Sequence, residues 1–190
     1  MGKEPDSGGL KKIDEHAVEI FQKLRDLQKR RDAIAKSHRI LVCGDYGENI
    51  EILEEIKTKL INNGHPAFLA KDFKPSDMTM PSYDHTLSLM NDFDIIILVD
   101  GDCIGTGIDC GLIIGNGTFQ TKTILLTNKN FEDMINLSKS YIYYPMYEFW
   151  TTREDLIYKA VGLAKKESYR LAKIYIDLHK STINSGAVSN

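Results

Sequence analysis

Hydrophobic positions along this chain fall into two patterns. Short runs such as Arg39 to Cys43 (RILVC), Ala67 to Ala70, Ile95 to Val99 and Lys122 to Thr127 (KTILLT) are aliphatic almost without interruption. Runs of that kind are what a parallel strand needs when helices cover both faces of its sheet. Two long stretches near the ends behave differently. Leu10, Ile13, Ala17, Ile20, Leu24, Leu27 and Ile34 recur on three- and four-residue steps, with Arg31 breaking the seam, and charges fill the other faces. Ile157, Val161, Ala164, Leu171, Tyr175 and Leu178 keep a similar spacing. Each stretch reads as a long helix with a narrow apolar stripe, suited to one partner helix. The two could pair within one chain or across a dimer, and we expect a homodimer that uses these terminal helices.

Between the end helices, strand and helix signals alternate. Glu48 to Asn63 reads as a helix stopped at Asn63-Gly64, and Asp45 and Glu48 have capping-box spacing in front of it. A Pro-containing loop from Lys71 to Ser82 leads into a helix ending near Asp92. Beyond Val99 comes a glycine-rich helix. Phe131 to Leu137 reads as a short helix, Tyr141 to Tyr144 as the last strand, ended by Pro145, and Thr151 with Glu154 as the cap of the final helix. Five strands alternating with helices predict an α/β, flavodoxin-like three-layer sandwich with a parallel sheet in the order 2-1-3-4-5. Residues 1–9 read as a tail, 10–180 as a single domain (10–36 helix, 39–144 sheet core, 152–180 helix) and 181–190 as a second tail.

Composition narrows the function classes. With 190 residues, 42% of them hydrophobic, the chain has material for one well-filled domain. A net charge of -3 offers no basic field for a phosphate backbone, so nucleic acid is not an expected partner. Cys43, Cys103 and Cys110 are odd in number, widely spaced and without His at metal spacing, so neither a disulfide framework nor a metal site is expected. No apolar run is long enough to span a bilayer and the amino terminus has no hydrophobic signal core, so the expected location is cytoplasmic, without membrane contact. His16, His38, His65 and His179 form no ligand spacing and are expected to be solvated. The aromatic run from Tyr141 to Trp150 fits strand and interface packing better than base stacking.

The candidate chemistry gathers after the third strand. Order 2-1-3-4-5 places its switch point between strands one and three, and ligands bind there, outside the carboxyl ends. That brings the turn Gly44, Asp45, Tyr46, Gly47 beside Asp100 and Asp102. The turn could cradle a phosphate or sugar at a helix amino terminus, or Asp45 could serve only as a cap. Gly105, Thr106 and Gly107 stand where a ligand would lie, while close helix-to-sheet packing alone would explain Gly111 and Gly115. Asp109, in an apolar and glycine-rich helix, must be solvated, paired or bound. No GxGxxG or P-loop pattern follows the first strand.

The aliphatic strand, the acidic loop and Gly105-Thr106-x-x-Asp109-x-Gly111 together resemble the nucleoside 2-deoxyribosyltransferase family and its neighbours among the TIR-like NAD hydrolases. The resemblance spans about Arg39 to Thr127. In the transferases the corresponding helix carries a nucleophilic Glu in a G-x-x-x-E-x-G pattern, so the resemblance implies Asp109 as nucleophile or cation stabiliser. It implies Asp102 as acid/base, offset by one residue from the family's second acid, and Asp84 or His85 as a positioning group. Gly44, Asp45 and Tyr46 fall on the family's first-strand ligand loop. The implied activity is cleavage or transfer at the N-glycosidic bond of a nucleoside or nucleotide, without cofactor or metal. Such a reaction passes through an oxocarbenium-like sugar that one carboxylate can trap while another acid protonates the base.

Two alternatives stand beside it. Aspartate is a methylene shorter than glutamate, and a displacement of about 1 Å can cost on the order of a hundredfold in rate. A nucleotide- or sugar-binding module without turnover would therefore use the same pocket. A receiver-like phosphoacceptor domain shares the strand order and could use Asp100 with Thr127, but lacks a lysine after the expected last strand and has only Asp45 after the first.

Overall fold

The computed structural model describes residues 7–73, 82–101, 104–128 and 146–185. Five strands, β1 (Ile40–Gly44), β2 (Ala67–Leu69), β3 (Ile95–Val99), β4 (Thr123–Thr127) and β5 (Met146–Phe149), form one parallel sheet in the order β2-β1-β3-β4-β5. The aliphatic runs explain the inner strands: every residue of β1, β3 and β4 is buried. Helices α1 (Ser7–Ser37), α2 (Ile50–Asn62), α3 (Ser82–Asp92), α4 (Ile104–Ile114), α5 (Gly117–Lys122) and α6 (Arg153–Ser185), with a 3-10 turn at Ala70–Asp72, complete the described elements. The expected α/β class and strand order are thus what the protein adopts. No described helix is long and apolar enough to cross a membrane.

Alternation along the strands divides the core into two layers. Ile40, Val42, Ile95, Ile97, Val99 and Leu126 pack with Leu53, Ile56 and Leu60 of α2 and Leu156, Ala160 and Ala164 of α6. On the opposite face Leu41, Cys43, Ile96, Leu98 and Leu125 pack with Leu89, Met90 and Phe93 at the end of α3, Leu112 and Ile113 of α4 and Phe119 of α5. Each such Leu, Ile or Phe contributes about 1.5–3 kcal/mol by leaving water. Lys122 ties the second layer together, donating from Nζ to the Met90 and Phe93 carbonyls, 2.6 Å each.

The stops and caps are partly those expected. Gly64, at a φ of +86°, ends α2 as the Asn63-Gly64 pair predicts, because only glycine takes that conformation without strain. At α6 the expected Thr151 and Glu154 cap is displaced by one residue: Thr152 Oγ1 accepts from the Asp155 N–H at 3.2 Å, and Asp155 accepts from the Thr151 N–H at 3.1 Å. The expected helix over 131–137 and strand over 141–144 lie outside the described residues. The strand that pairs with β4 is Met146–Phe149, so Pro145 precedes it rather than ending it, and the sheet runs past 144. Proline has no N–H for a ladder but is tolerated immediately before a strand begins.

The end helices pair with each other within the chain. Arg31, which breaks the α1 seam, stacks its guanidinium 5.4 Å from the Tyr169 ring centre and reaches the Tyr169 carbonyl at 3.5 Å. On α6 the buried seam is Ala160, Ala164, Ser168, Ala172 and Ile176, so the expected stripe is out of phase on the outer half of the helix. Small residues allow close approach of the two helices and leave Tyr175 and Leu178 outside.

Candidate functional site

The carboxyl edge of the sheet is built by glycines that bring two loops into contact. Gly44 is in register with Val99, and a Cβ at Gly44 would lie 3.0 Å from the Val99 carbonyl oxygen and 3.1 Å from Leu53 Cδ2. At the next turn, a Cβ on Gly101 would come within 2.9 Å of Asp45 Cβ, closer than real side chains approach. The turn after β1 therefore presses on the turn after β3, at the switch point the strand order predicts.

At that edge the polar groups have distinct duties. Asp45 is buried, and its Oδ1 accepts the Gly47 N–H at 2.8 Å and the Glu48 N–H at 3.4 Å. It closes the turn rather than capping α2, which begins only at Ile50 behind Asn49. Tyr46 ties β1 to the turn after β2, donating from its hydroxyl to the Val42 carbonyl at 3.1 Å and accepting from the Ala70 N–H at 2.9 Å. Burial raises the pKa of that hydroxyl far above the ordinary tyrosine value, with the Asp109 carboxylate adding to it. Asp100 is buried and accepts from Thr127 Oγ1 at 3.0 Å, which directs one carboxylate oxygen toward the end of β4.

Asp109 is the titratable group with no such tie. It lies in the second turn of α4, on the layer that packs over Leu41 and Cys43. Among the described residues no hydrogen bond or ion pair reaches its carboxylate. Burial raises its pKa from 3.8 to about 6. Its charge is felt by the Cys43 thiol and the Tyr46 hydroxyl, which places it over the carboxyl end of β1. Burial and then Asp109 push the Cys43 thiol well up, so the sulfur stays protonated. A carboxyl that ionises near neutrality, on the ligand edge of an α/β sheet, is suited either to proton transfer or, once ionised, to holding a cation or attacking an electrophile.

The remaining expected residues are only partly assembled. Asp102 lies outside the described residues. Gly105, Thr106 and Gly107, expected beside a ligand, belong to the first turn of α4, which starts at Ile104. A Cβ at Gly107 would meet nothing within 4 Å, and the same holds at Gly111. Gly111 is exposed, so close packing on the sheet is not its reason. Asp84 is exposed on α3, and His85 sits with Nε2 3.2 Å from the Phe73 carbonyl; no hydrogen bond joins either to Asp109 among the described residues.

An open groove of about 440 Å³ runs along α4 and α3, lined by Leu87, Ile108, Gly111, Leu112, Gly115 and Asn116. A larger hollow of about 560 Å³ lies across the molecule, between α2 and α6, where Arg153 and Glu55 form an exposed ion pair at 3.1 Å. We place the site at the sheet edge. An exposed ion pair of two long side chains is an ordinary solvated feature, while Asp109 is a desolvated acid without a partner among the described residues. Nor is any group of three or more His, Cys, Asp or Glu among those residues placed to hold a metal.

Sequence reasoning missed several members of this edge. Gly101 signals itself only through its position after Asp100, and the Thr127 bond to Asp100 enters the reading only through the receiver alternative. Cys43 reads from sequence as a plain strand residue, and its link to Asp109 depends on where α4 lies. His65, expected in solvent, is buried and its pKa lowered, first by burial and then by Lys36. No protein-family model matches the chain, and a search of curated proteins finds no match.

Proposed function

We propose that this protein binds a nucleoside or nucleotide at the carboxyl edge of β1 and β3 and cleaves or transfers at its N-glycosidic bond, with Asp109 as the principal catalytic group. One observation carries the reading: a desolvated Asp109, without a partner among the described residues, whose pKa is raised to about 6 over the end of β1. Above that pH the carboxylate is ionised and can stabilise or trap the positive charge that develops on the sugar as the base departs. Below it the group is neutral and loses that ability. Asp102, one loop away in sequence, is the proposed acid that protonates the leaving base. Gly47 gives an exposed backbone that a sugar or phosphate can approach, while Asp45 keeps its turn closed. Gly107, with open space around it, leaves room for the ligand beside the start of α4.

Incubation of the purified protein with deoxynucleosides, ribonucleosides, nucleoside monophosphates and NAD, with and without an acceptor base, tests the proposal. Free base or exchanged nucleoside, lost in Asp109→Ala, supports it. A ligand that raises the melting temperature without any product would replace it with a binding module, a reading favoured by the short aspartate side chain at this position.

A further inference from the structure

The carboxyl end of α1 joins the sheet at its amino edge, the edge opposite Asp109, and a buried histidine stands at the joint. His65, between α2 and β2, is 3% exposed. Its backbone N–H bonds the Leu60 carbonyl at 3.1 Å, and its ring bonds the Ala35 carbonyl at the end of α1. Ala35 is itself fully buried, whereas no α1 side chain from residue 16 to residue 34 is. Nδ1 of His65 has no hydrogen-bond partner among the described residues, and neither has Nδ1 of His38, the residue after α1. The charged groups that face the ring are cations. A Cβ built on Gly64 would lie 3.3 Å from Lys36 Cδ and 3.7 Å from its Nζ, so this α1 lysine lies against the residue before His65. Lys36 and His38 from the end of α1, and Lys165 from α6, all oppose a proton on His65. The acids of the same helices are engaged elsewhere: Glu55 of α2 with Lys59 at 3.3 Å, buried Glu167 of α6 with Arg170 at 2.5 Å, and Asp32 of α1 with the Tyr169 hydroxyl. Arg39 turns to the Asp92 carbonyl at 3.0 Å and to the Phe93 ring.

Independently of any ligand, we propose that His65 is an acid-sensitive latch: neutral, its ring seals the joint and fastens α1 to the sheet; protonated, it leaves the joint and frees α1 from α6. The carboxyl end of a helix favours a nearby cation, but burying an imidazolium among cations outweighs that, and the pKa of His65 is lowered, first by burial and then by Lys36. Released from the joint, the imidazole titrates near 6.5; held in it, lower. The latch is therefore closed above 6.5, and the joint weakens by up to about tenfold for each pH unit below that, until the lower value is passed. Helix α1 is the element that yields. It holds to α6 through Arg31 against Tyr169 and the turn at Ala35, while β1 and β2 beside the ring are paired in the sheet and buried in its core. A segment with so little buried apolar contact is the first to open.

Amide hydrogen exchange of the full chain at about pH 7.5 and about pH 5.5, corrected for intrinsic rates, tests the proposal. The expected result is that residues 16–37 lose about tenfold of their protection at the lower pH relative to β1, β3 and β4. His65→Gln, neutral at both values, should abolish that difference. Lys165→Glu, at an exposed position, sets an acid where a cation stood; it should raise the pKa of the His65 ring in an NMR titration and shrink the difference. No loss of protection at the lower pH, a loss shared equally by α1 and the sheet, a difference retained in His65→Gln, or one indifferent to Lys165→Glu would each overturn it.

Discussion

Replacing Asp109 by asparagine should make the protein more stable above pH 6, and the size of the gain follows from its surroundings. The amide resembles the protonated acid in shape and neutrality, so variant and parent should match below 3.8, where the aspartate is protonated in both the folded and unfolded chain. Between 3.8 and about 6 the folded protein holds a proton that the unfolded chain has released. Parent stability therefore falls as pH rises through that window and stays lower above it. A displacement of roughly two pKa units corresponds to about 3 kcal/mol at full strength. Asp109 is half-buried, and water at its open side screens part of the effect, so the expected gain at about pH 8 is about 1–3 kcal/mol. Urea unfolding of parent and Asp109→Asn at about pH 4, 5, 6 and 8 measures this, and the difference between the two curves isolates the one residue from all other acids. Parallel curves, or a variant that is less stable at the alkaline end, would show that the carboxylate is solvated or paired and would remove the premise of the site.

Further substitutions probe the edge around it. Gly101→Ala drives a Cβ to within 2.9 Å of Asp45 and should cost about 1–3 kcal/mol in chemical unfolding, with loss of any ligand-induced rise in melting temperature. Thr127→Val removes the hydroxyl that donates to buried Asp100 and should cost about 1–3 kcal/mol, while Thr127→Ser should recover most of it. Gly107→Ala meets open space inside a helix and should stabilise the unliganded protein by about 0.5–1 kcal/mol; a simultaneous fall in ligand affinity would show that the space is kept for the ligand.

The sheet was legible because β1, β3 and β4 announce burial on both faces through unbroken aliphatic runs, and few topologies connect them economically. β5 was harder. Met146 to Phe149 is half-exposed at the sheet edge and carries a weaker pattern than the inner strands. Local motifs failed where two readings use the same residues: Asp45 has the spacing of a helix cap but closes the turn ahead of the helix. The end helices were legible as helices but not in phase, since the small residues Ala164, Ser168 and Ala172 form the seam and the larger Leu171, Tyr175 and Leu178 flank it. At the site, sequence could point to Asp109 as an uncomfortable residue. Its desolvation, and its electrostatic contact with Cys43 and Tyr46, arise from the placement of α4 over β1, which no local pattern encodes.

The most direct test of the central claim is chromatography of free base released from a nucleoside panel by the parent, Asp109→Asn and Asp109→Glu, at about pH 5 and about pH 7.5. The account predicts release by the parent that rises between the two values as Asp109 ionises, none by the asparagine variant, and retained or faster release by the glutamate variant. Release that persists in Asp109→Asn, or none from the parent with any member of the panel at either pH, would contradict it.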